Sequence, residues 1–268
     1  MKRVLRHPGS KWNIASWIVA HLPEHDHYVE PFFGSGAVFF TKQPSHVETI
    51  NDLNGDVVNF FKVVRELPHE LADLVMFTPW SRDEYYTSYE KSGNALEDAR
   101  RFLVRCDQAY GPRLNCRSGW RNDVQGRQNT SCARVWMKLP DRILEAAARL
   151  KNAQIENRPA LEVIERVAYE NVLIYADPPY MLDTRHGPLY KDEMADDDHQ
   201  VLLEALRAHP GPVILSGYTN GFYEEVLAGW ATRRARALAE GGQEREEVIW
   251  INPVAIEKLR GTLFWEAE

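Results

Sequence analysis

The chain has 268 residues, of which 44% are hydrophobic and 26% charged, and carries a formal net charge of −7. That length can bury a full core, as one large domain or as a domain with an inserted subdomain, and the composition excludes a disordered chain. The basic start "MKRVLRHPGSKWN" has no apolar run behind it, and no stretch nears the roughly 18 apolar residues of a membrane span, so an intracellular, cytoplasmic protein without membrane contact is expected.

Ile14, Trp17, Ile18 and His21 recur at helical spacing, and "HDHYVE" then reads as a short strand ending at Glu30. A glycine turn and a second helix follow, then a strand at "HVETIND" and an amphipathic helix at "DVVNFFKVVREL" with Val57, Phe60, Phe61 and Val64 inward. From about Leu67 to Leu150 strands give way to helical segments such as "LEDARRFLVRC" and "ARVWMKLPDRILEAAARL". The alternation then resumes: strand "AQIEN", helix "PALEVIERVA", strand "NVLIYA", helix "DDDHQVLLEALRAH", strand "GPVILSG", helix "NGFYEEVLAGW" and late strands near "RRARALA" and "EEVIWIN". This pattern predicts one α/β domain, residues 1–66 and 151–268, interrupted by a mainly helical insertion, residues 67–150.

The charge is unevenly placed. Between Arg100 and Arg142 ten basic residues face three acids, so this segment carries +7 and the remainder −14. A solvated helix face can hold several such arginines. The part "YGPRLNCRSGWRNDVQGRQNTS" is loop-like, however, and interleaves Arg113, Arg117, Arg121 and Arg127 with Tyr110 and Trp120, a combination suited to phosphate and base contacts. The odd trio Cys106, Cys116 and Cys132 matches no zinc or redox spacing; reduced structural thiols and no metal are expected.

In an open α/β sheet, ligands gather beyond the carboxyl ends of the strands, where strand order reverses. Three motifs fall at such ends. "VEPFFGSGAVFF" places Gly34 and Gly36 between a strand and a helix, which lets backbone approach a ligand; an ordinary strand-to-helix turn is the plainer alternative. Asp52 in "TIND" ends the next strand, where a carboxylate can accept two hydrogen bonds from ribose hydroxyls; it could instead cap the helix that follows. "ADPPY" ends a later strand, and there the prolines alone would explain a strand stop, but not Asp177 and Tyr180 beside them.

"PFFGSG" followed by "NDLN", an intervening segment and then "ADPPY" resembles, in order and spacing, the Dam-like DNA adenine N6-methyltransferases of bacteria and phages, which use S-adenosylmethionine. "LRHPGSKW" is similar to that family's opening aromatic-x-Gly-Gly-Lys run. The resemblance implies a Rossmann-like methyltransferase sheet with an inserted target-recognition domain, and an enzyme that methylates N6 of a flipped adenine at specific sites in double-stranded DNA. It implies cofactor contacts from Gly9, Lys11, Phe32, Gly34, Gly36, Asp52 and Asp177, and a catalytic loop of Asp177, Pro178, Pro179 and Tyr180. His7 stands where an aromatic is usual and Ser10 replaces the second glycine, which leaves a cofactor role for His7 open. "AYGPRLNCRSGWRND" lacks the motif associated with GATC recognition in that family, so no target sequence carries over, and neither a partner restriction enzyme nor an oligomeric state is fixed.

Adenine N6 is a poor nucleophile, because its lone pair is delocalised into the ring, and it is enclosed by the duplex until the base is flipped. An Asp177 carboxylate and the Pro178 carbonyl can each accept one N6 hydrogen, while Tyr180 offers a face for stacking worth roughly 1 to 3 kcal/mol. Another planar amine, such as cytosine N4, RNA adenine or protein glutamine, would need a similar loop; Asp as its first residue favours adenine. The polar run from Met181 to Met194 could order over bound DNA or be an idle surface loop. Asp183, Arg185 and His186 have no nucleophilic Ser or Cys in a suitable turn, so a hydrolytic triad is set aside.

Overall fold

The computed structural model describes residues 1–111, 113–122, 132–181, 187, 189–238 and 244–260. In chain order the first elements are α1 (Ala15–Ala20), β1 (His27–Glu30), α2 (Ala37–Thr41), β2 (Val47–Asn51), α3 (Gly55–Glu66), α4 (Pro68–Met76), α5 (Arg82–Thr87) and α6 (Ala95–Asp107). There follow α7 (Cys132–Trp136), α8 (Leu139–Leu150), β3 (Ala153–Glu156), α9 (Ala160–Arg166), β4 (Val172–Ala176), α10 (Asp196–Ala208), β5 (Val213–Gly217), α11 (Gly221–Val226), β6 (Ala231–Leu238), β7 (Glu244–Ile251) and α12 (Pro253–Leu259). Among the described residues no helix is long and apolar enough to cross a membrane.

The chain forms two compact units. The described residues of the larger one fall within Lys11–Leu53, Gln154–Pro188 and Asp192–Glu268. It holds a seven-stranded sheet in the order β3-β2-β1-β4-β5-β7-β6. β1 runs parallel to β2 and β4, β4 parallel to β5, and β7 antiparallel to both its neighbours. Every residue of β4 and β5 is buried, which is why both read as unbroken apolar runs rather than as alternating ones. Ile174, Val213 and Leu215 meet Val163 and Ile164 from α9, Leu202 and Leu206 from α10, and Trp250 from β7 in one core cluster. Asn252 joins β7 to α12, a helix the sequence pattern did not announce: its side-chain oxygen accepts from Ala255 N at 2.9 Å as a helix cap and from Val213 N at 2.9 Å on β5.

The second unit comprises Met1–Ser10, Asn54–Ala153 and Leu189–Lys191. Asn54 caps α3 by accepting from Asp56 N at 3.0 Å, and the apolar stripe Val57, Phe60, Phe61 and Val64 is buried as its period requires. α3 packs on α6 and α8, and Asp56 ties it to Lys91 and Arg105. α6 is capped by Asn94, and the buried Arg100 bridges Glu97 and Glu84 at 2.7 Å each. The expected single helix over "ARVWMKLPDRILEAAARL" is two, because Pro140 lies in the first turn of α8, where its missing N–H is tolerated but a preceding helical turn is not.

Candidate active site

Strand order reverses between β1 and β4, whose parallel pairing brings the carboxyl ends of β1, β2 and β4 to one edge of the sheet. The glycine turn follows β1, Asp52 follows β2, and Asp177 to Tyr180 follow β4. β4 stops there because Pro178 and Pro179 have no N–H to extend the ladder. Pro178 is buried, whereas Asp177, Pro179 and Tyr180 are partly exposed at this edge.

Lys11, itself buried, sets its ammonium 2.9 Å from Asp177 Oδ1 as an ion pair and 4.7 Å from the centroid of the Tyr180 ring. Burial raises the Asp177 carboxyl above the usual carboxylate range, Lys11 pulls it back, and Glu247 pushes it up again. The Tyr180 hydroxyl donates to Glu247 Oε2 at 2.7 Å, and its ring meets Tyr218 edge-on at 4.5 Å. One further carboxyl lies in this region: Glu30, the last residue of β1, is 3% exposed. Burial pushes its pKa up to about 8, against the Tyr28 hydroxyl that donates to it at 2.8 Å and with reinforcement from the Asp177 charge.

Gly34 N donates to Asp52 Oδ2 at 2.8 Å, so the glycine turn and the acid of the next strand are locked together. Helix α3 takes its cap from Asn54, so capping does not account for Asp52. Gly36 has φ +66°, and a Cβ there would stand 2.4 Å from the Phe33 ring; this turn requires glycine twice over. Phe32 is partly buried and packs against the core cluster that includes Val29, Ile174 and Met181. Asn51 laces the same strand ends, donating to Pro31 O at 2.9 Å and to Arg158 O at 3.0 Å.

Two expected cofactor residues, His7 and Gly9, fall in the helical unit. His7 is buried with its ring 6.0 Å from that of Tyr190, and Gly9 has φ +68° with the Tyr190 hydroxyl 2.2 Å from where a Cβ would stand. Tyr190 carried no signal in the sequence, because nothing local marks a tyrosine that packs on a chain segment some 180 positions earlier.

Of the expected DNA-contacting residues, Arg113, Arg117, Trp120 and Arg121 lie in or next to a hairpin-like segment of the helical unit, pinned by a bridge between Ala109 and Trp120 and by Tyr110 N donating to Gly119 O at 2.8 Å. Arg113 and Arg117 are exposed, with the Arg117 guanidinium 4.7 Å from the Tyr89 ring centroid. Trp120 is half-buried beneath Arg82 at 5.0 Å. Arg121 is more enclosed: it lies 5.4 Å from the Trp80 centroid, its Nε is buried, and burial lowers its pKa. The hub beneath them is the fully buried Gln108, whose side chain accepts from Ser81 N at 3.1 Å and donates to Pro79 O at 3.0 Å. Arg127, Asp183, Arg185 and His186 lie outside the described residues.

A mostly parallel sheet that reverses order at β1 and β4, carries an antiparallel β7, bears a glycine turn locked to an acid after the neighbouring strand and ends β4 in Asp-Pro-Pro-Tyr is a Rossmann-like methyltransferase domain. The family model for D12 class N6 adenine-specific DNA methyltransferase matches residues 7–236, and the chain belongs to that enzyme family. It is 27% identical over 257 residues to the type II methyltransferase M1.LlaDCHI of Lactococcus lactis subsp. cremoris, covering 87% of each chain. It is 26% identical over 261 residues to the DNA adenine methylase of Escherichia coli (strain K12), covering 91% of each. A 95-residue stretch is 30% identical to the DNA N-6-adenine-methyltransferase of Escherichia phage P1, covering 35% of this chain and 12% of that protein.

Proposed function

We propose that the protein transfers the methyl group of S-adenosylmethionine to N6 of an adenine flipped out of double-stranded DNA at a specific sequence. The observation that carries this reading is the Asp177 carboxylate, held by Lys11 at 2.9 Å on a double-proline turn beside an aromatic face. A carboxylate and a main-chain oxygen on a stiff loop match the two hydrogens of one exocyclic amine.

The sheet edge fits the cofactor. Asp52 is oriented by Gly34 and is not used as a cap, which suits ribose hydroxyls, while the glycine turn gives close backbone approach. Lys11 and Asp177 supply opposite charges for the zwitterionic methionine end. Bound there, the cofactor contributes an electrophilic methyl on a sulfonium centre.

The chain's own groups do the rest. Tyr180 stacks on the extruded base and offsets part of the few kcal/mol that flipping costs. Asp177 and the Pro178 carbonyl accept the two N6 hydrogens and draw the amine toward tetrahedral geometry, so that its lone pair is aimed rather than spread into the ring. Lys11 opposes the upward push of burial on the Asp177 carboxyl. The insertion of residues 67–150 acts as the target-recognition domain, with Arg113, Arg117, Trp120 and Arg121 on DNA.

The test is to incubate the protein with unmethylated genomic DNA and methyl-labelled cofactor, then digest the DNA to nucleosides and map the modified positions. Label in N6-methyladenine at one recurring sequence is expected. A protein that binds the donor but labels no adenine would overturn the proposal.

A further inference from the structure

Glu247 belongs to none of the sequence motifs, yet it is the hydrogen-bond partner of the loop tyrosine. The topology explains how a residue 67 positions downstream arrives there. β7 is antiparallel to β5, with Gly217 opposite Val248, so the early part of β7 lies beside the carboxyl end of β5, next to Tyr218. The Glu247 side chain thus reaches the edge that carries the Asp-Pro-Pro-Tyr loop, and the residue is 9% exposed. The Tyr180 ring is then met by Glu247 at the hydroxyl (2.7 Å), by the edge of Tyr218 (4.5 Å between centroids) and by Lys11 on the face (4.7 Å).

We propose that Glu247 is a positioning residue for methyl transfer: by accepting the Tyr180 hydroxyl hydrogen bond it fixes the ring on which the target base stacks. The inference rests on the adenine-methylation reading above. The physical case is that burying a carboxylate is costly, whereas an apolar side chain at a strand position would cost nothing. A hydrogen bond to a charged acceptor is stronger and more directional than a neutral one, and so suits a ring that must hold one orientation. Donation to a carboxylate also leaves the phenol ring richer in electrons, which strengthens its hold on the Lys11 ammonium that pairs with Asp177. One acid therefore bears on both halves of the loop.

The experiment is a double-mutant cycle on Glu247→Ala and Tyr180→Phe, with Glu247→Gln as the conservative variant. Single-turnover methylation is followed on unmethylated genomic DNA, and base extrusion on a duplex carrying 2-aminopurine at the mapped target position. Each single variant is expected to lose about tenfold or more in rate and a matching part of the fluorescence rise, as for loss of a charged hydrogen bond. The double variant is expected to be no slower than the worse single. Glu247→Gln, which keeps an acceptor without its charge, is expected to recover part of the rate lost in Glu247→Ala, and cofactor affinity and thermal midpoint are expected to stay near wild type. Independent, multiplying losses would overturn the proposal, as would a Tyr180→Phe rate within about twofold of wild type. Should Glu247→Ala fail to fold, Tyr180→Phe decides the matter alone: a rate and a fluorescence rise within about twofold of wild type overturn the proposal. A wild-type protein that labels no adenine refutes the functional reading itself, whereas an active wild type with indifferent variants refutes only the role of Glu247.

Discussion

The Asp-Pro-Pro-Tyr loop and the arginine-bearing hairpin solve opposite problems. The loop follows a fully buried strand, its carboxylate is paired within 3 Å, and its tyrosine is held at hydroxyl, edge and face. The hairpin exposes Arg113 and Arg117 to solvent while the Ala109–Trp120 bridge and the bonds between Gly111 and Ser118 hold its backbone. On the proposed function, charge that must aim one atom is buried and fixed, and charge that must meet a long polyanion is left hydrated beside aromatic rings. The two regions should therefore fail in different ways when altered.

The sharpest contrast comes from Asp177→Ala, expected to lower the methylation rate by at least about a hundredfold while leaving DNA affinity largely intact, because it removes one of two acceptors on the reacting amine. Single-turnover kinetics beside a binding titration check it, and a near-normal rate breaks the comparison on the catalytic side. Gly36→Ala comes next. It forces a side chain into φ +66° and against the Phe33 ring, and is expected to cost about 1 to 3 kcal/mol by thermal or urea denaturation.

Glu30 links the same edge to pH. Its folded pKa is raised to about 8, so the unfolded chain releases this proton first as pH rises. The folded state thus carries a growing penalty from its ordinary carboxyl range up to about pH 8, and the full penalty above that. Glu30→Gln mimics the protonated acid and should flatten this part of the stability profile, with a higher thermal midpoint than wild type above pH 8. Equal midpoints at high pH would show that the acid does not carry the penalty. The smallest effect belongs to the hairpin: Arg117→Gln is expected to weaken DNA binding a fewfold and to reduce the slope of log affinity against log salt by about one, with the single-turnover rate at saturating DNA unchanged. An unaltered slope would move the DNA surface elsewhere.

The same contrast governed what could be read in advance. Gly34, Gly36, Asp52 and Asp177 to Tyr180 sit in short contiguous motifs at strand ends, because parallel strands collect their ends at one edge whatever the intervening sequence, and Lys11 sits in a short motif ahead of α1. Glu247, Tyr190 and Gln108 had no such motif; their partners lie far away in the chain or in another element. A paired acid within the apolar run "EEVIWIN" was the one available hint for Glu247, since an acid buried in a strand needs a donor. Arg121 looked equivalent to Arg117 by spacing, and only packing against Trp80 separates the enclosed guanidinium from the exposed one.

Local chemistry by itself determined most of the strands and helices, the glycine turn and the double-proline stop, since each depends on backbone limits and periodicities that operate within a few residues. Tertiary structure alone decided which acid receives the tyrosine hydroxyl, which carboxyl keeps its proton and which arginine is enclosed. Those outcomes depend on desolvation and on neighbours supplied by strand order, and neither quantity is written at any single position of the chain.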